Sequence, residues 1–149
     1  MNQLKWNKKG LLFSPQKENT PNWMQTFAQA PHVIKYEDFF FLFFSCRPNP
    51  DENGQFVSYS AFVDFDFNFN ILKISEEPIL QLGELGTFDE FGTYPVSVLK
   101  KETGYELFYA GWTRCSSVPF NTAIGKATSQ DGEKFNKLGK GPIIPYTLD

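Results

Sequence analysis

An all-β fold built from repeated four-stranded sheets is what this sequence predicts, on three observations. Aromatic residues make up 17% of the 149-residue chain, with 17 Phe and 6 Tyr, and such side chains suit a pleated, half-buried surface. No window sustains a helical period, whereas short apolar or alternating runs recur between turn signals. The chain also repeats itself. Pro31 and Pro95 stand 64 residues apart, as do Pro78 and Pro142, and the stretches between them align with about one residue of slippage. A repeat of this length holding four strands is the signature of a β-propeller blade; a chance match inside a β-sandwich is the competing reading.

Taken in order, residues 1–13 end in WNKKGLLF, a partial copy of a closing strand, and read as the outer strand of a blade the chain does not complete. Residues 14–30 are polar and proline-bearing and read as a loop pinned by Trp23, Met24 and Phe27. The first blade, about residues 31–80, opens with HVIKY (32–36). FFFLFF (39–44) is too short for a membrane span and reads as a strand buried on both faces. RPNPDENGQ leads to a third strand, SYSAFVDF (58–65). DFDFNFN (64–70) alternates polar residues with Phe, the pattern of a sheet with one wet face. Its acids lack the glycine and the downstream bidentate acid of a calcium loop, so no metal is assigned. Residues 81–94 link the blades and carry three glycines with Asp89 and Glu90.

The second blade, about residues 94–144, is the clearest. VSVLK (96–100), YELFYAG (105–111), TAIGKATS (122–129) and FNKLGKGPII (135–144) read as its four strands. Thr103-Gly104 marks the first turn, and Asp131-Gly132 is a dipeptide of tight hairpins.

Charge and composition exclude some classes. The net charge of −3 comes without a basic stripe, so no nucleic acid is expected, and nothing points to a membrane surface. MNQLKWNKKG has no apolar core followed by a cleavage site, so no signal peptide is expected and the cytoplasm is the default location. Cys46 and Cys115 make no disulfide framework or metal spacing; they read as packing residues at matching places after the second strand of each blade. No cofactor is expected. A propeller needs at least four blades, and five of this length would take about 320 residues. Two blades leave apolar faces and strand edges open. The expectation is that further C-terminal blades or self-association close the ring.

One stretch carries a resemblance. Tyr105, Leu107, Tyr109, Ala110 and Gly111, followed by Ile124, Gly125, Ala127, Ser129, Asp131, Gly132 and Phe135, resemble the blade motif of the five-bladed propeller glycosidase clan. That clan includes arabinanases, invertases, levansucrases and mannoside phosphorylases. The motif belongs to the scaffold and does not name a reaction. The resemblance implies catalysis by carboxylates projecting into the central channel, one protonated and one ionised about the anomeric carbon. It implies an aspartate just before the proline that enters the first strand, a place held here by Ala30, and its second-blade counterpart falls on Tyr94. The acid of a later blade would lie beyond Asp149.

Within that frame, Asp89 and Glu90 are the candidate replacements, as a base or as hydrogen-bonding groups for sugar hydroxyls; solvated linker acids are the alternative. His32, the single histidine, heads an innermost strand and is a candidate for acid–base work, or a satisfied strand-end residue. Arg47 and Arg114 follow the second strand of each blade and would suit a carboxylate- or phosphate-bearing glycan, or form blade-to-blade salt bridges. Tyr94 and Trp112 are candidates to stack on a sugar ring, with buried packing as the alternative. Asn121 could donate to a hydroxyl, or be a turn residue. The expected function is a glycosidase-like, carbohydrate-active protein, hydrolase or phosphorylase, acting on or binding a sugar at the propeller axis. The alternatives are a sugar-binding or assembly propeller without the catalytic carboxylates, and a protein-binding module using its Phe-rich strands.

Overall fold

The computed structural model describes residues 4–147. They form two four-stranded antiparallel sheets, each with its strands in sequence order. The first sheet is β1 (Thr26–Lys35), β2 (Phe40–Arg47), β3 (Tyr59–Phe65) and β4 (Ile71–Ile74). The second is β5 (Gly92–Lys101), β6 (Gly104–Arg114), β7 (Phe120–Ser129) and β8 (Asn136–Lys137). One 3-10 turn, Pro15–Lys17, is the only helical piece among the described residues. No helix there is long and apolar enough to cross a membrane. Two meanders of this kind packed face to face are propeller blades.

The repeat is physical. Ser60 bridges Leu80 in the first sheet, and 64 residues on Ile124 bridges Ile144 in the second. Phe43 lies opposite Phe62 on the β2–β3 ladder, and Phe108 lies opposite Lys126 on β6–β7. The third strands therefore map with a shift of 64 and the second strands with a shift of 65. That single residue is the slippage in the sequence alignment, and it preserves which face each side chain occupies.

The sheets meet through aromatic side chains. Phe41, Phe43 and Phe62 from the first pack against Leu107, Tyr109 and Phe135 of the second, with Ile79 and Leu80 between them. Burial of each large apolar side chain contributes about 1.5–3 kcal/mol. A polar seam runs beside this core: Ser60 Oγ and Thr93 Oγ1 are 3.0 Å apart, Ser45 Oγ donates to the Thr93 carbonyl, and Thr93 N–H donates to the Ser58 carbonyl. These buried groups are partnered, so the seam fixes the pairing of the sheets at little cost.

The other face of the first sheet is covered by a strap. Phe13 packs on Phe44 with the rings tilted and their centroids 5.1 Å apart, Met24 is fully buried, and Trp23 Nε1 donates to the Glu76 carbonyl at 2.9 Å. FFFLFF thus sits between two apolar layers, as its composition predicts. Among the described residues the far face of the second sheet has no such cover. Ile79 and Leu80 are 0% and 1% exposed, yet their repeat counterparts Ile143 and Ile144 are 47% and 59% exposed.

Several elements differ from the sequence reading. Residues 4–14 carry no strand pairing among the described residues; Phe13 acts instead as an anchor. β1 begins at Thr26, inside the expected loop, with two register shifts and positive φ at Phe27 and Ala30. The third strand ends at Phe65, as read, and the rest of DFDFNFN turns rather than continuing as sheet, because the Asp66 carboxylate caps the backbone of Asn68 and Asn70. The closing strand of the second sheet shrinks to two paired residues. Asp131-Gly132 does not make a two-residue hairpin. Asp131 Oδ1 accepts from Ser129 Oγ and from the backbone of Glu133 and Lys134, organising a longer turn. Cys46 and Cys115 are not repeat counterparts: Cys46 is buried within β2 opposite Tyr59, and Cys115 follows β6.

Candidate functional site

The second strands of both sheets end on one rim of the molecule, and each ends in an arginine: Arg47 on β2 and Arg114 on β6. The start of β5 brings Tyr94 to the same rim, and the end of β6 brings Trp112. Between them lies an open pocket of about 410 Å3, walled also by Phe56 and Phe120. Four residues singled out for sugar contact, Arg47, Tyr94, Trp112 and Arg114, therefore line one cavity. Asn121 is not among them. Phe120 and Thr122 line the pocket, and alternation along β7 turns the residue between them to the opposite face.

The hydrogen bonds of the pocket are incomplete. Arg47 Nη2 donates to the Tyr94 hydroxyl at 2.8 Å, and Ser58 Oγ donates to the same oxygen at 3.2 Å. Tyr94 thus accepts twice and keeps its own proton to donate. Arg47 Nε is buried without a partner, and so is Trp112 Nε1. The Arg47 guanidinium lies 4.7 Å from the Phe27 ring centre and 5.4 Å from that of Phe56. Arg114 lies 4.0 Å over Phe91, and its Nη2 donates to the Phe56 carbonyl at 2.9 Å. Neither arginine takes part in an ion pair among the described residues, so the alternative of blade-to-blade salt bridges is not seen there.

The three titratable candidates are dispersed. Asp89 is 1% exposed. Its carboxylate meets Lys137 Nζ at 2.6 Å and accepts from Tyr109 Oη at 3.0 Å and Thr87 Oγ1 at 3.1 Å. It borders a second cleft, away from the arginines. Gly111 makes this possible, since a Cβ there would stand 2.4 Å from Asp89 Cβ. Glu90 is held by the Thr113 hydroxyl and the Gly86 N–H. Those two hydrogen bonds, with Arg114 nearby, hold its carboxyl below the usual carboxylate range. His32 sits where the inner strands face each other and donates Nε2–H to the Val98 carbonyl at 3.0 Å, tying β1 to β5.

Sequence reasoning missed Phe56, which touches both arginines, and Lys137, the partner of Asp89. Phe56 directly follows a polar loop, and an aromatic in that place is the one signal that could have found it. Lys137 lies 48 residues from Asp89 in sequence and carries no local mark.

No family model matches the chain. Among curated proteins it is 32% identical over 140 residues to uncharacterized proteins from two strains of Mycobacterium tuberculosis, covering 93% of this chain and 45% of theirs. The chain thus spans about half the length of those relatives. Among solved structures it is similar to a candidate glycosidase of Bacteroides thetaiotaomicron, with a TM-score of 0.62 and 18% identity over 85% of this chain and 36% of that one. A glycosyl hydrolase of Bacteroides ovatus gives a TM-score of 0.60 at 14% identity, over 79% and 32%. A structure from the GH130 family of mannoside phosphorylases, which contains glycoside hydrolases that target β-1,2-mannosidic linkages in Candida mannan, gives 0.56 at 14%, over 79% and 33%. At these identities the likeness is one of architecture. The chain carries the propeller-blade fold of these glycosidase-like neighbours, over about a third of their length.

Proposed function

We propose that this chain is part of a glycosidase-related, carbohydrate-active propeller, and that its sugar binds in the pocket between Arg47 and Arg114. The convergence of Tyr94, Trp112 and the two arginines on one cavity carries this reading. Aromatic faces and a few convergent donors in a pocket of this size are what a sugar ring requires. Cleaving a glycosidic bond needs one protonated and one ionised carboxyl. In this reading Glu90, on the Arg114 side and held ionised, is the carboxylate this chain offers. Asp89, locked to Lys137, belongs to the scaffold, and further blades supply the acid. The open far face of the second sheet and the greater length of the relatives support that completion. The two free thiols support a cytoplasmic setting.

A second reading keeps the sugar and drops the reaction. Ala30 and Tyr94 occupy the places where the clan's aspartates stand, which favours a sugar-binding propeller without turnover. A panel of aryl glycosides and a glycan-binding screen separate the two. Turnover that falls at least a hundred-fold in Glu90→Gln supports the enzyme, and binding without turnover supports the second reading. If no sugar binds, or binding is indifferent to Trp112→Ala and Tyr94→Phe, the pocket assignment is wrong.

A further inference from the structure

We propose that the pocket selects a sugar bearing a carboxylate, a uronic-acid-type residue. This rests on the sugar-site reading and adds the substrate class to it. Two guanidiniums share one neighbour, Phe56: Arg47 lies against its ring and Arg114 donates to its carbonyl. No carboxylate of the described residues pairs with either. The Phe27, Phe56 and Phe91 rings take up the faces of the guanidiniums, which leaves their N–H edges for a ligand. Arg47 Nε and Trp112 Nε1 lack acceptors but are sealed from the cavity, the indole nitrogen against Gly92, so neither counts toward the ligand. Tyr94 adds a hydroxyl donor to the guanidinium edges, because its oxygen already accepts from Arg47 and Ser58.

The pocket therefore offers positive charge and donors and asks for an anionic acceptor. A planar carboxylate presents two oxygens to guanidinium edges and matches that demand. Guanidinium edges pair with phosphate as well as with carboxylate, so phosphate is a separate arm of the test. Trp112, Phe120 and Tyr94 then face the sugar ring that carries the acid.

The test is calorimetric titration of the purified protein with matched pairs: glucuronate against glucose, galacturonate against galactose, mannuronate against mannose, and inorganic phosphate alone. At least one acid is expected to bind ten-fold or more tightly than its neutral partner. That ratio should collapse towards one in Arg114→Gln and shrink only partly in Arg114→Lys, with near-ultraviolet circular dichroism confirming folded protein. Arg47→Lys supplies an independent variant should Arg114→Gln fail to fold. Equal binding of acid and neutral partners would overturn the carboxylate while leaving the sugar site intact. Phosphate binding as tightly as the best acid would also overturn it, since the site would then be a general anion site. If no sugar binds at all, the sugar reading falls and this inference falls with it.

Discussion

Neutralising Asp89 tests whether that carboxylate holds the scaffold together. It is 1% exposed and bonded to Lys137, Tyr109 and Thr87. Removing one partner of a buried ion pair costs about 3–5 kcal/mol, because the other charge is left unpaired. The Lys137 side chain is 20% exposed, so its ammonium can lean towards water, and Asp89→Asn should sit near the lower end, about 3 kcal/mol. Lys137→Met instead strands the more deeply buried carboxylate and should cost about 4 kcal/mol. The double variant should cost about 4 kcal/mol, no more than Lys137→Met alone, giving a coupling of about 3 kcal/mol in a double-mutant cycle. At about 2–4 °C per kcal/mol for a chain of this size, Asp89→Asn should lower Tm by about 6–12 °C, read by calorimetry. An unchanged Tm, or single losses that simply add, would show that the pair is not structural and would return Asp89 to the list of groups available for chemistry.

Other expectations follow from the same packing. Burial first, then the Glu133 charge, pushes Asp64 up to about 6 against the pull of Lys73. Its native pKa lies above its unfolded value, so its proton stabilises the fold at low pH, and that stability is lost as pH rises from about 4 to about 6. The group is only half-buried, so Asp64→Asn should gain about 1 kcal/mol at pH 7 and nothing at pH 4 after discounting for solvent screening, measured by urea melts at both. A Cβ at Gly125 would stand 2.3 Å from Tyr109 Cζ; with the Tyr109 hydroxyl tied to Asp89, Gly125→Ala should lose about 2–3 kcal/mol, and a Tm within 2 °C of wild type would refute that crowding. Phe43→Ala, at the centre of the contact between the sheets, should cost about 3–5 kcal/mol in chemical denaturation.

The parts of this fold legible in the sequence are those set by repetition. Apolar runs at constant spacing marked β2, β3, β6 and β7, because each must bury a face at the same point of each blade. The start of β1 was hidden by its register shifts, where Phe27 and Ala30 take backbone angles that apolar residues rarely adopt. The turn after β7 was misjudged because Asp131 bonds the backbone ahead of it, and local dipeptide preference does not report that. At the site, Arg47, Trp112, Arg114 and Tyr94 could be foreseen because strand ends of neighbouring blades share a rim. The fate of Asp89 could not, since it depends on Lys137 arriving from the far end of its own blade.

The strap formed by Phe13, Trp23 and Met24 gives the molecule a polarity. One flank is covered and, among the described residues, the other is not, so a further sheet can add beside Leu99, Ile143 and Ile144 without displacing Phe13 and Met24 from Phe44 and its neighbours.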